Sequence, residues 1–576
     1  MIAKMTKYTF VLMSGRRTKF LEDIQELGIV DITRSKKAID EHSERLMFEI
    51  EDIKRHISQI KAGTDHHLEE LVAKVSALAI EERDLLPWGD YDREKLESIG
   101  LAVTFGTISK KNYNPFWPEE YPMAVVSEDE RNCYVVIFGE VPDIPVKAVP
   151  APQKALSKVQ SELRIAEEDV NRYRRILESC RKDIPLLEKK DAELTAELNL
   201  YLASHTAESA VESKVLIFQG FAPTEDNERM AEALDAMDII WFAENAVKED
   251  NPPIKLKNNR FTKQFEVLTN MYGMPVYDEF DPTIFLSIFF LLFFAMCMGD
   301  AGYGILLVAI GFFLKGKDGG LAKLWSLIVT LGVATFAVGI VMGGFFGMDL
   351  STKEWVPDGL KRIMITGDIT IGGSSYAKQM VLSLGIGILH ICLALVMKTV
   401  WAIRNNGLKN SLGTLGWTLL IVGGIIALAI GLSGVISENA MKWILITIAG
   451  VSALGIYFFN KWGRNPLVNF GAGLWDTYNT ASGLMGDVLS YIRLYALGLS
   501  GGMLGSTFNQ IAEMVKGPDP TWQWLPFIII LLIGHALNLA MSCLGAFVHP
   551  LRLNFVEFFK NSDYQGKGTQ YNPLKK

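Results

Sequence analysis

Cysteine is sparse in this 576-residue chain, and its distribution excludes two kinds of scaffold. The five cysteines are scattered and none forms a C-x-x-C spacing: Cys133, Cys180, Cys297, Cys392 and Cys543. This pattern predicts neither a zinc site nor a disulfide framework. It fits a reducing, cytoplasmic environment for the soluble part of the chain.

Several functional signals are also missing. The N-terminal MIAKMTKYTFVLMSGRR lacks the long apolar core of a secretory signal, so we expect the N-terminal half to stay in the cytoplasm. A formal net charge of −8 is mild and indicates no nucleic-acid partner. The N-terminal half has no catalytic constellation. His66 and His67 are interpreted as surface residues instead of metal ligands, and no metal or cofactor is predicted.

A nucleotide site is missing as well. The segment GFFLKGKD (311–318) matches part of a phosphate-binding loop. However, Asp318 stands where Ser or Thr would bind magnesium, and an apolar helix precedes the segment instead of a strand. We therefore predict no nucleotide site in this chain.

Residues 1–265 are predicted to form an α-rich cytoplasmic dumbbell. Strand–helix–strand patterns predict one α/β lobe from residues 1–35 and 205–265. The charged segments 36–86 and 151–204 carry apolar residues at helical spacing and predict an antiparallel coiled coil. Residues 87–150, with Gly, Pro and aromatic punctuation, predict a second α/β lobe at its tip.

Residues 266–576 are predicted to form a transmembrane domain. The apolar runs predict eight helices long enough to cross a bilayer: about 284–299, 301–315, 323–347, 378–403, 412–433, 440–460, 466–515 and 523–558. The last two are too long for perpendicular spans and are expected to tilt or project. The even count and the basic inner segments, such as Lys398 to Lys409, predict cytoplasmic N- and C-termini.

Arg493 is the most informative residue of the seventh run. It has apolar neighbours and no adjacent acid, and intramembrane charges usually mark an ion path. Small residues follow it at helical spacings and allow another helix to approach closely: Ala496, Ser500, Gly501, Gly502 and Gly505. The alternative is a snorkelling arginine beside a glycine-rich packing face.

A polar stripe marks the last run. His535, Asn538, Ser542, His549 and Arg552 recur at spacings of three, four, seven and three, so they share one helical face. Such a stripe lines a wet space or another polar helix. Hydrogen bonding between helices is the alternative for His535 and Asn538, and interfacial anchoring is the alternative for Arg552 and Glu557.

Four segments, in this order, resemble one family along almost the whole chain. They are PPIKLKNNRFTKQFEVLTNMYGMPVYDEFDPT (252–283), MCMGDAGYG (296–304), GDVLSYIRLYALGLSGGML (486–504) and GAFVHPLRLNFVEFFK (545–560). The sequence resembles the membrane-embedded a-type subunit (subunit I) of rotary V-type and archaeal-type ATPases. The resemblance implies a non-catalytic stator subunit that couples proton or sodium translocation to ATP hydrolysis or synthesis.

The resemblance also implies roles for particular residues. Arg493 matches the arginine opposite the rotating proteolipid ring, and Arg552 matches the second arginine on the final helix. Ala496, Ser500, Gly501 and Gly502 would face the ring. The expected inner half-channel contains Ser482, Asp487 and Ser490, the outer one Asn509, Gln510, Glu513, His535 and Asn538. His549 and Glu557 are further candidates.

By the same resemblance, the partners are the proteolipid ring, peripheral-stalk heterodimers on the two lobes, the central-stalk coupling subunit and membrane lipid. A multi-pass protein of the plasma membrane is expected. Gly501 and Ser542 depart from the eukaryotic pattern, where a histidine and an acid stand, which fits a prokaryotic member. The rival interpretations are a secondary transporter or channel with a cytosolic regulatory domain, and a purely structural scaffold.

Overall fold

The computed structural model describes residues 1–35, 37–90, 100–151, 154–210, 214–237, 239–316, 324–371, 373–432, 437–459, 465–516 and 524–575. Lys317 and Asp318 of the rejected phosphate motif lie outside these residues. The chain divides into two compact units. The first contains residues 1–33 and 207–575, and the second contains residues 34–206.

Helices make up most of the described chain. In chain order they are α1 Arg17–Leu27, α2 Glu41–Ala62, α3 His66–Leu85, α4 Trp117–Glu120, α5 Leu156–Cys180, α6 Ile184–His205, α7 Asn227–Asp235, α8 Arg260–Lys263, α9 Glu266–Tyr272, α10 Thr283–Met298, α11 Ala301–Leu314, α12 Trp325–Met342, α13 Asp358–Lys361, α14 Lys378–Asn406, α15 Leu412–Thr418, α16 Gly424–Leu432, α17 Glu438–Ala453, α18 Pro466–Ser490, α19 Ile492–Lys516, α20 Trp524–Arg552 and α21 Phe559–Ser562. Three π-helical segments lie at Leu419–Gly423, Leu454–Phe458 and Leu553–Phe558.

The strands form small antiparallel sheets. They are β1 Met5–Met13, β2 Asp31–Ile32, β3 Val103–Ser109, β4 Met123–Glu128, β5 Asn132–Phe138, β6 Lys147–Val149, β7 Glu208–Ala210, β8 Val215–Pro223, β9 Ile240–Asn245, β10 Gly344–Phe345, β11 Met348–Asp349, β12 Asp368–Ile371 and β13 Ser374–Ala377. One sheet has the order β2-β8-β1-β9, with β7 beside β8. Another has the order β4-β5-β3-β6, and the last four strands form two hairpins.

The first sheet gathers strands from both ends of the predicted proximal lobe. β1 pairs with β8 from Met5 opposite Pro223 to Met13 opposite Val215. Burial alternates along β1, as expected for a strand with one covered face. Phe20 of α1 covers that face, with its ring 5.2 Å from Phe10.

The C-terminal tail binds this lobe to the base of the membrane helices. The backbone N–H of Gly568 donates to Met274 O at 2.8 Å, and that of Leu574 donates to Val30 O at 3.0 Å. The buried Glu279 accepts the backbone N–H of Gln565 at 2.9 Å. The tail therefore acts as a strap that joins the lobe, the linker before α10 and the end of the last helix.

In the second unit, two helix pairs replace the two continuous helices of the predicted coiled coil. α2 packs on α6 and α3 packs on α5. These four helices form a helical arm. Its outgoing half is interrupted between α2 and α3 at Gly63, which has a φ of +68°, and its returning half is interrupted between α5 and α6 at Arg181–Asp183. Arg181 Nη2 lies 3.8 Å from the position of a Cβ on Gly63. The two interruptions therefore lie side by side.

Each helix pair carries a similar clasp. Asp40 caps α2, and its carboxylate also accepts the Tyr201 hydroxyl of α6. Asp65 caps α3, and it accepts the Tyr173 hydroxyl of α5 at 2.6 Å. One carboxylate thus satisfies a helix N-terminus and ties that helix to its partner.

Histidine follows each capping aspartate by two residues. His42 lies edge-on to Tyr201 with a ring separation of 4.7 Å, and His67 lies edge-on to Tyr173 at 4.8 Å. The exposed His67, predicted to be a surface residue, thus packs on a clasp tyrosine.

Five apolar helical segments within the described residues are long enough to cross a bilayer: Trp325–Met342, Lys378–Asn406, Leu408–Gly431, Asn439–Phe458 and Trp524–Ser562. Thr283–Met298 and Ala301–Leu314 are shorter apolar helices. The chain is therefore an α-rich membrane protein with small sheets, and the eight-span arrangement stays a prediction.

The seventh predicted run is divided in the structure. α18 ends at Ser490 and α19 begins at Ile492, with Tyr491 between them. The Tyr491 N–H donates to Val488 O and the Leu494 N–H donates to Tyr491 O, both over three residues instead of four. The run is therefore two helices instead of one continuous helix, because this tight turn interrupts the α-helical ladder. The expected tilt stays a prediction.

The clasp of α2 generates a pH prediction. The Tyr201 hydroxyl, with the backbone and side chain of Ser43, lowers the pKa of Asp40 from its ordinary 3.8 to about 2. Because the folded-state pKa is depressed, the stabilising contribution is present above about pH 4 and is lost as the pH falls through about 2. Thermal unfolding followed by circular dichroism should show a smaller loss of stability over this window in Tyr201→Phe.

Tyr121→Phe is the matched control, since the Tyr121 hydroxyl forms no hydrogen bond within the described part of the second unit. It should keep the wild-type pH dependence. An unchanged pH dependence in Tyr201→Phe would contradict the clasp.

Candidate functional site

Arg493 is the second residue of α19, directly after the break at Tyr491. Its side chain is half-buried, and its Nη1 is buried without a hydrogen-bond partner. Among the described residues Arg493 forms no ion pair. Cys297 of α10 and His549 of α20 lie within range of its charge. In the part of the chain that the structure describes, the apolar bundle thus holds a guanidinium without a counter-ion.

Arg552 lies at the end of α20 and is exposed. Its charge acts on His549, which Arg493 also reaches, and on Glu557 in the following π-helical segment. His549 is half-buried and its Nδ1 has no hydrogen-bond partner among the described residues. The charges of Arg493 on α19 and Arg552 on α20 therefore both act on one histidine, His549.

The inner candidate Asp487 and the further candidate Glu557 are both buried, and the charge of Asp487 acts on Glu557. Asn561 donates its side-chain N–H groups to Asp487 Oδ2 at 2.8 Å and to the Glu557 backbone oxygen at 2.6 Å. Lys560 Nζ lies 3.7 Å from Asp487 Oδ2. Ser490 lies beside Glu557, whose Oε2 has no partner among the described residues. We call Asp487, Ser490, Glu557, Lys560 and Asn561 the acid cluster. Its Glu557 Oε2 can still accept a hydrogen bond.

A cavity of about 300 Å³ adjoins the acid cluster. Its walls come from α14, α15, α18 and α21, and its polar lining includes Lys398, Thr399, Thr414, Thr418, Asn479, Thr480, Asp487, Lys560 and Asn561. Ser482, predicted on this side, is exposed on the surface, next to Gly483 of the cavity wall. The cavity gives Asp487 access to polar space.

The outer candidates His535, Asn538 and Asn509 form one hydrogen-bonded chain with Tyr303. Asn538 Nδ2 donates to the Tyr303 hydroxyl at 2.8 Å and to Gly501 O at 2.9 Å. The Tyr303 hydroxyl lies 2.8 Å from His535 Nδ1, and His535 Nε2 lies 3.0 Å from Asn509 Oδ1. With the His535 proton on Nε2, every link is a satisfied hydrogen bond. The chain ties α11, α19 and α20 together.

Asp300 fixes the loop at Phe346 and Gly347, next to the hydrogen-bonded chain of Tyr303. It caps α11 by accepting the N–H groups of Gly302 and Tyr303, and it also accepts those of Phe346 and Gly347 at 2.8 Å each. Its side chain is 2% exposed. Phe346 has a φ of +47°, so the carboxylate holds a strained turn in place.

A second cavity, of about 410 Å³, lies beside α19. Its lining includes the helix face Tyr495, Gly498, Leu499, Gly502, Met503 and Ser506, and the acids Asp300, Asp349 and Asp368. Asp349 and Asp368 come from the two hairpins and are exposed. The cavity extends from these hairpins to Tyr495, two residues after Arg493.

The small residues of α19 do not all share one environment. Ala496 and Ser500 are exposed, and an added Cβ on Gly502 would meet no atom within 4 Å. Gly501 instead faces α20, where an added Cβ would lie 3.0 Å from Ser542 Oγ. The two positions that depart from the eukaryotic pattern are therefore neighbours. The outer candidates Gln510 and Glu513 are exposed on α19.

The profile of the V-type ATPase 116kDa subunit family matches residues 147–332. A-type ATP synthase subunit I of Methanocaldococcus jannaschii is 30% identical over 540 residues, which cover 88% of this chain and 73% of that relative. This chain belongs to the subunit I family of V-type and A-type ATPases. It is similar to V-type ATP synthase subunit I of Borreliella burgdorferi, 25% identical over all of both chains. It is also similar to V-type ATP synthase subunit I 1 of Treponema pallidum, 24% identical over 96% of this chain and 91% of the relative.

Membership in the subunit I family confirms the resemblance that the four sequence segments indicated. A subunit I is a membrane-embedded subunit of an ATPase complex instead of the catalytic one, and other ATPase subunits are its partners. The residues of the candidate site that the sequence did not indicate are Tyr303, Asp300, Lys560 and Asn561. Asp300 had a signal, since it precedes an apolar helix at a capping position. The others became apparent only through tertiary contacts.

The Asp300 contacts predict a structural role. Asp300→Ala removes the acceptor of four backbone N–H groups, and each hydrogen bond to a charged group contributes about 1.5–3 kcal/mol. We expect a loss of at least about 3 kcal/mol and a clear drop in the thermal midpoint of the detergent-purified subunit I. Asp358→Ala, which changes an exposed acid of the same region, should leave the midpoint unchanged. Equal midpoints for the two variants would refute this role.

Proposed function

We propose that this chain is the stator subunit of a rotary V/A-type ATPase. It provides two ion half-channels and an arginine barrier against a rotating ring of proteolipid subunits, and so couples proton or sodium translocation to ATP hydrolysis or synthesis. The observation that carries the proposal is the Arg493 guanidinium, whose buried Nη1 has no partner and which pairs with no acid among the residues that the structure describes.

The chemistry of arginine suits a barrier. Each proteolipid carboxylate must be neutralised by its ion to face lipid, because an isolated charge in the bilayer is costly. A guanidinium is effectively never deprotonated and favours the ionised carboxylate that passes it, so the carboxylate releases its ion there. An internal acid would neutralise this effect. Exposed Ala496 and Ser500 leave room for the ring to approach Arg493, whereas Gly502, expected to face the ring, lines the cavity of about 410 Å³.

On the inner side, we assign the half-channel to the acid cluster and the adjoining cavity of about 300 Å³. Asp487, Ser490 and Glu557 would pass the ion between this cavity and the ring, with Ser482 at the exposed mouth. The free Oε2 of Glu557 supports this assignment, since a fully hydrogen-bonded acid would have less capacity to take part in transfer.

On the outer side, we assign the path to the cavity of about 410 Å³ that ends near Tyr495. Asn509, His535 and Asn538 would hold its wall through their hydrogen-bonded chain, with Gln510 and Glu513 on the exposed face of α19. Arg552 and His549 would support the barrier from the final helix. Asp349 and Asp368 would draw cations towards the opening.

The proposed assembly follows the subunit I family. Eight membrane spans with cytoplasmic termini would hold residues 266–576 in the plasma membrane, and the dumbbell of residues 1–265 would bind peripheral-stalk heterodimers through its two lobes. The proximal lobe would neighbour the central-stalk coupling subunit. Copurification with a proteolipid ring and nucleotide-binding subunits separates this proposal from a transporter, which would work alone in liposomes.

Arg493→Ala tests the barrier directly. We expect complete loss of ATP-driven ion transport in liposomes that contain the assembled ATPase, because the ring carboxylate would keep its ion. The complex should still assemble, as judged by its subunit composition after purification. Lys442→Ala removes an exposed cation of another apolar helix and should transport normally. Normal transport by Arg493→Ala would refute the proposed function.

Gly502→Leu tests the outer path. An added Cβ has free space, so the longer side chain should enter the cavity without displacing backbone and should reduce transport to a small fraction of wild type. Gly450→Leu, at another open helical glycine, should transport normally. Wild-type transport by Gly502→Leu would remove the cavity from the path.

A further inference from the structure

His390 is a buried polar residue that the proposed ion path does not use. It lies on α14 and is 0% exposed. Its ring stacks on Phe558 at 4.4 Å with an interplanar angle of 4°, and the Phe289 ring lies at 4.0 Å on another side. His390 Nδ1 lies 2.9 Å from the Tyr491 hydroxyl, while Nε2 has no hydrogen-bond partner among the described residues.

Tyr491 is the residue at which α18 gives way to α19. It is 0% exposed, and its ring occupies the space that Gly387 leaves open. A Cβ on Gly387 would lie 2.3 Å from the Tyr491 ring, so this close approach requires glycine. Gly387 and His390 are one helical turn apart on α14. One face of α14 therefore receives both the ring and the hydroxyl of the break residue.

The break itself needs such a tie. At Tyr491 the helical ladder changes from hydrogen bonds over four residues to bonds over three, which weakens the mechanical continuity between α18 and α19. Side-chain contacts then decide where α19 begins. The Tyr491–His390 hydrogen bond is a polar contact in an aromatic environment, where an unmade bond is costly.

The same histidine ring also contacts the last helix. Phe558, on which it stacks, follows Glu557 directly and ends the π-helical segment. Arg493 lies two residues after Tyr491. His390 thus contacts one residue close in sequence to Arg493 and one next to Glu557, although it touches neither charged residue in the described structure.

We propose that His390 is a positioning residue that, through Tyr491 and Phe558, fixes the separation between the Arg493 guanidinium and the inner acid cluster. This inference rests on the proposed function, since it concerns the same ion path. His390 is not placed to carry the ion, because its ring is enclosed by aromatic side chains and its one hydrogen bond leads to Tyr491. Its effect on transport is geometric.

The experiment uses the assembled ATPase in liposomes and measures ions transported per ATP hydrolysed. In Tyr491→Phe the ring still fills the space at Gly387 but the hydroxyl is lost. We expect the coupling ratio to fall about ten-fold, because a small misplacement of an active group costs one to two orders of magnitude. Loss of complex alone would lower both rates together and would leave their ratio unchanged. The KM for ATP should not change.

Rescue by a conservative variant separates positioning from packing. His390→Asn keeps a hydrogen-bonding side chain for Tyr491 and should retain most of the coupling ratio, whereas His390→Leu should match Tyr491→Phe. The double variant His390→Leu/Tyr491→Phe should be no worse than either single variant, because both remove the same contact. Equal coupling ratios for His390→Asn and His390→Leu would overturn the proposal, and this comparison decides the matter if Tyr491→Phe does not assemble.

Tyr457→Phe is the matched control. The Tyr457 hydroxyl contacts Thr477 Oγ1 at 3.1 Å in the same membrane bundle, away from the break, so its loss should leave the coupling ratio at the wild-type value. If Arg493→Ala abolishes transport while Tyr491→Phe couples normally, the positioning role fails and the proposed function stands. If Arg493→Ala transports normally, the proposed function itself fails.

Discussion

The central constraint on this structure is one guanidinium, that of Arg493, which has no counter-ion within the described ranges of the chain. A charge at this place in an apolar bundle is costly, and proteins usually reduce the cost with a nearby acid. Here the buried Asp487 accepts a hydrogen bond from Asn561 and lies near Lys560, and Asn561 also donates to the backbone oxygen of Glu557. Arg493 forms no ion pair within the described chain. The surrounding fold must therefore hold the helix that carries this side chain, and the packing and hydrogen bonds around α19 provide that support.

The support comes from irregular rather than ideal helices. The break at Tyr491 precedes the helix of Arg493, and the π-helical segment Leu553–Phe558 follows the helix of Arg552. Both irregularities turn side chains away from the direction that a continuous α-helix would give them, and π-helical segments are frequent at functional sites. On the opposite side, Asp300 and the chain from Tyr303 to Asn509 fix the loop and helix that border the second cavity.

The sequence was sufficient for the general organisation because the signals were strong and local. Apolar runs, charged heptad-like segments and four motifs indicated an α-rich membrane protein of the subunit I family, and the special status of Arg493 followed from its charge alone. Other features depended on contacts between distant residues. Nothing in LSYIRLY marks Tyr491 as a helix break, since its partner His390 is 101 residues away. Gly501 was indistinguishable from its neighbour Gly502, although only Gly501 faces Ser542. The interruption at Gly63 likewise lies beside a residue that is distant in sequence, Arg181.

Those paired interruptions give the helical arm of the second unit a specific mechanical property. A continuous coiled coil resists bending along its whole length, because each turn is held by its own backbone hydrogen bonds and by the facing helix. At Gly63 and Arg181 both halves of the arm lose regular α-helix at the same level. The Lys61–Glu188 ion pair joins α2 to α6 next to this level. A sideways load would therefore concentrate its strain at this joint, so the arm would flex as two stiff rods connected by a compliant element.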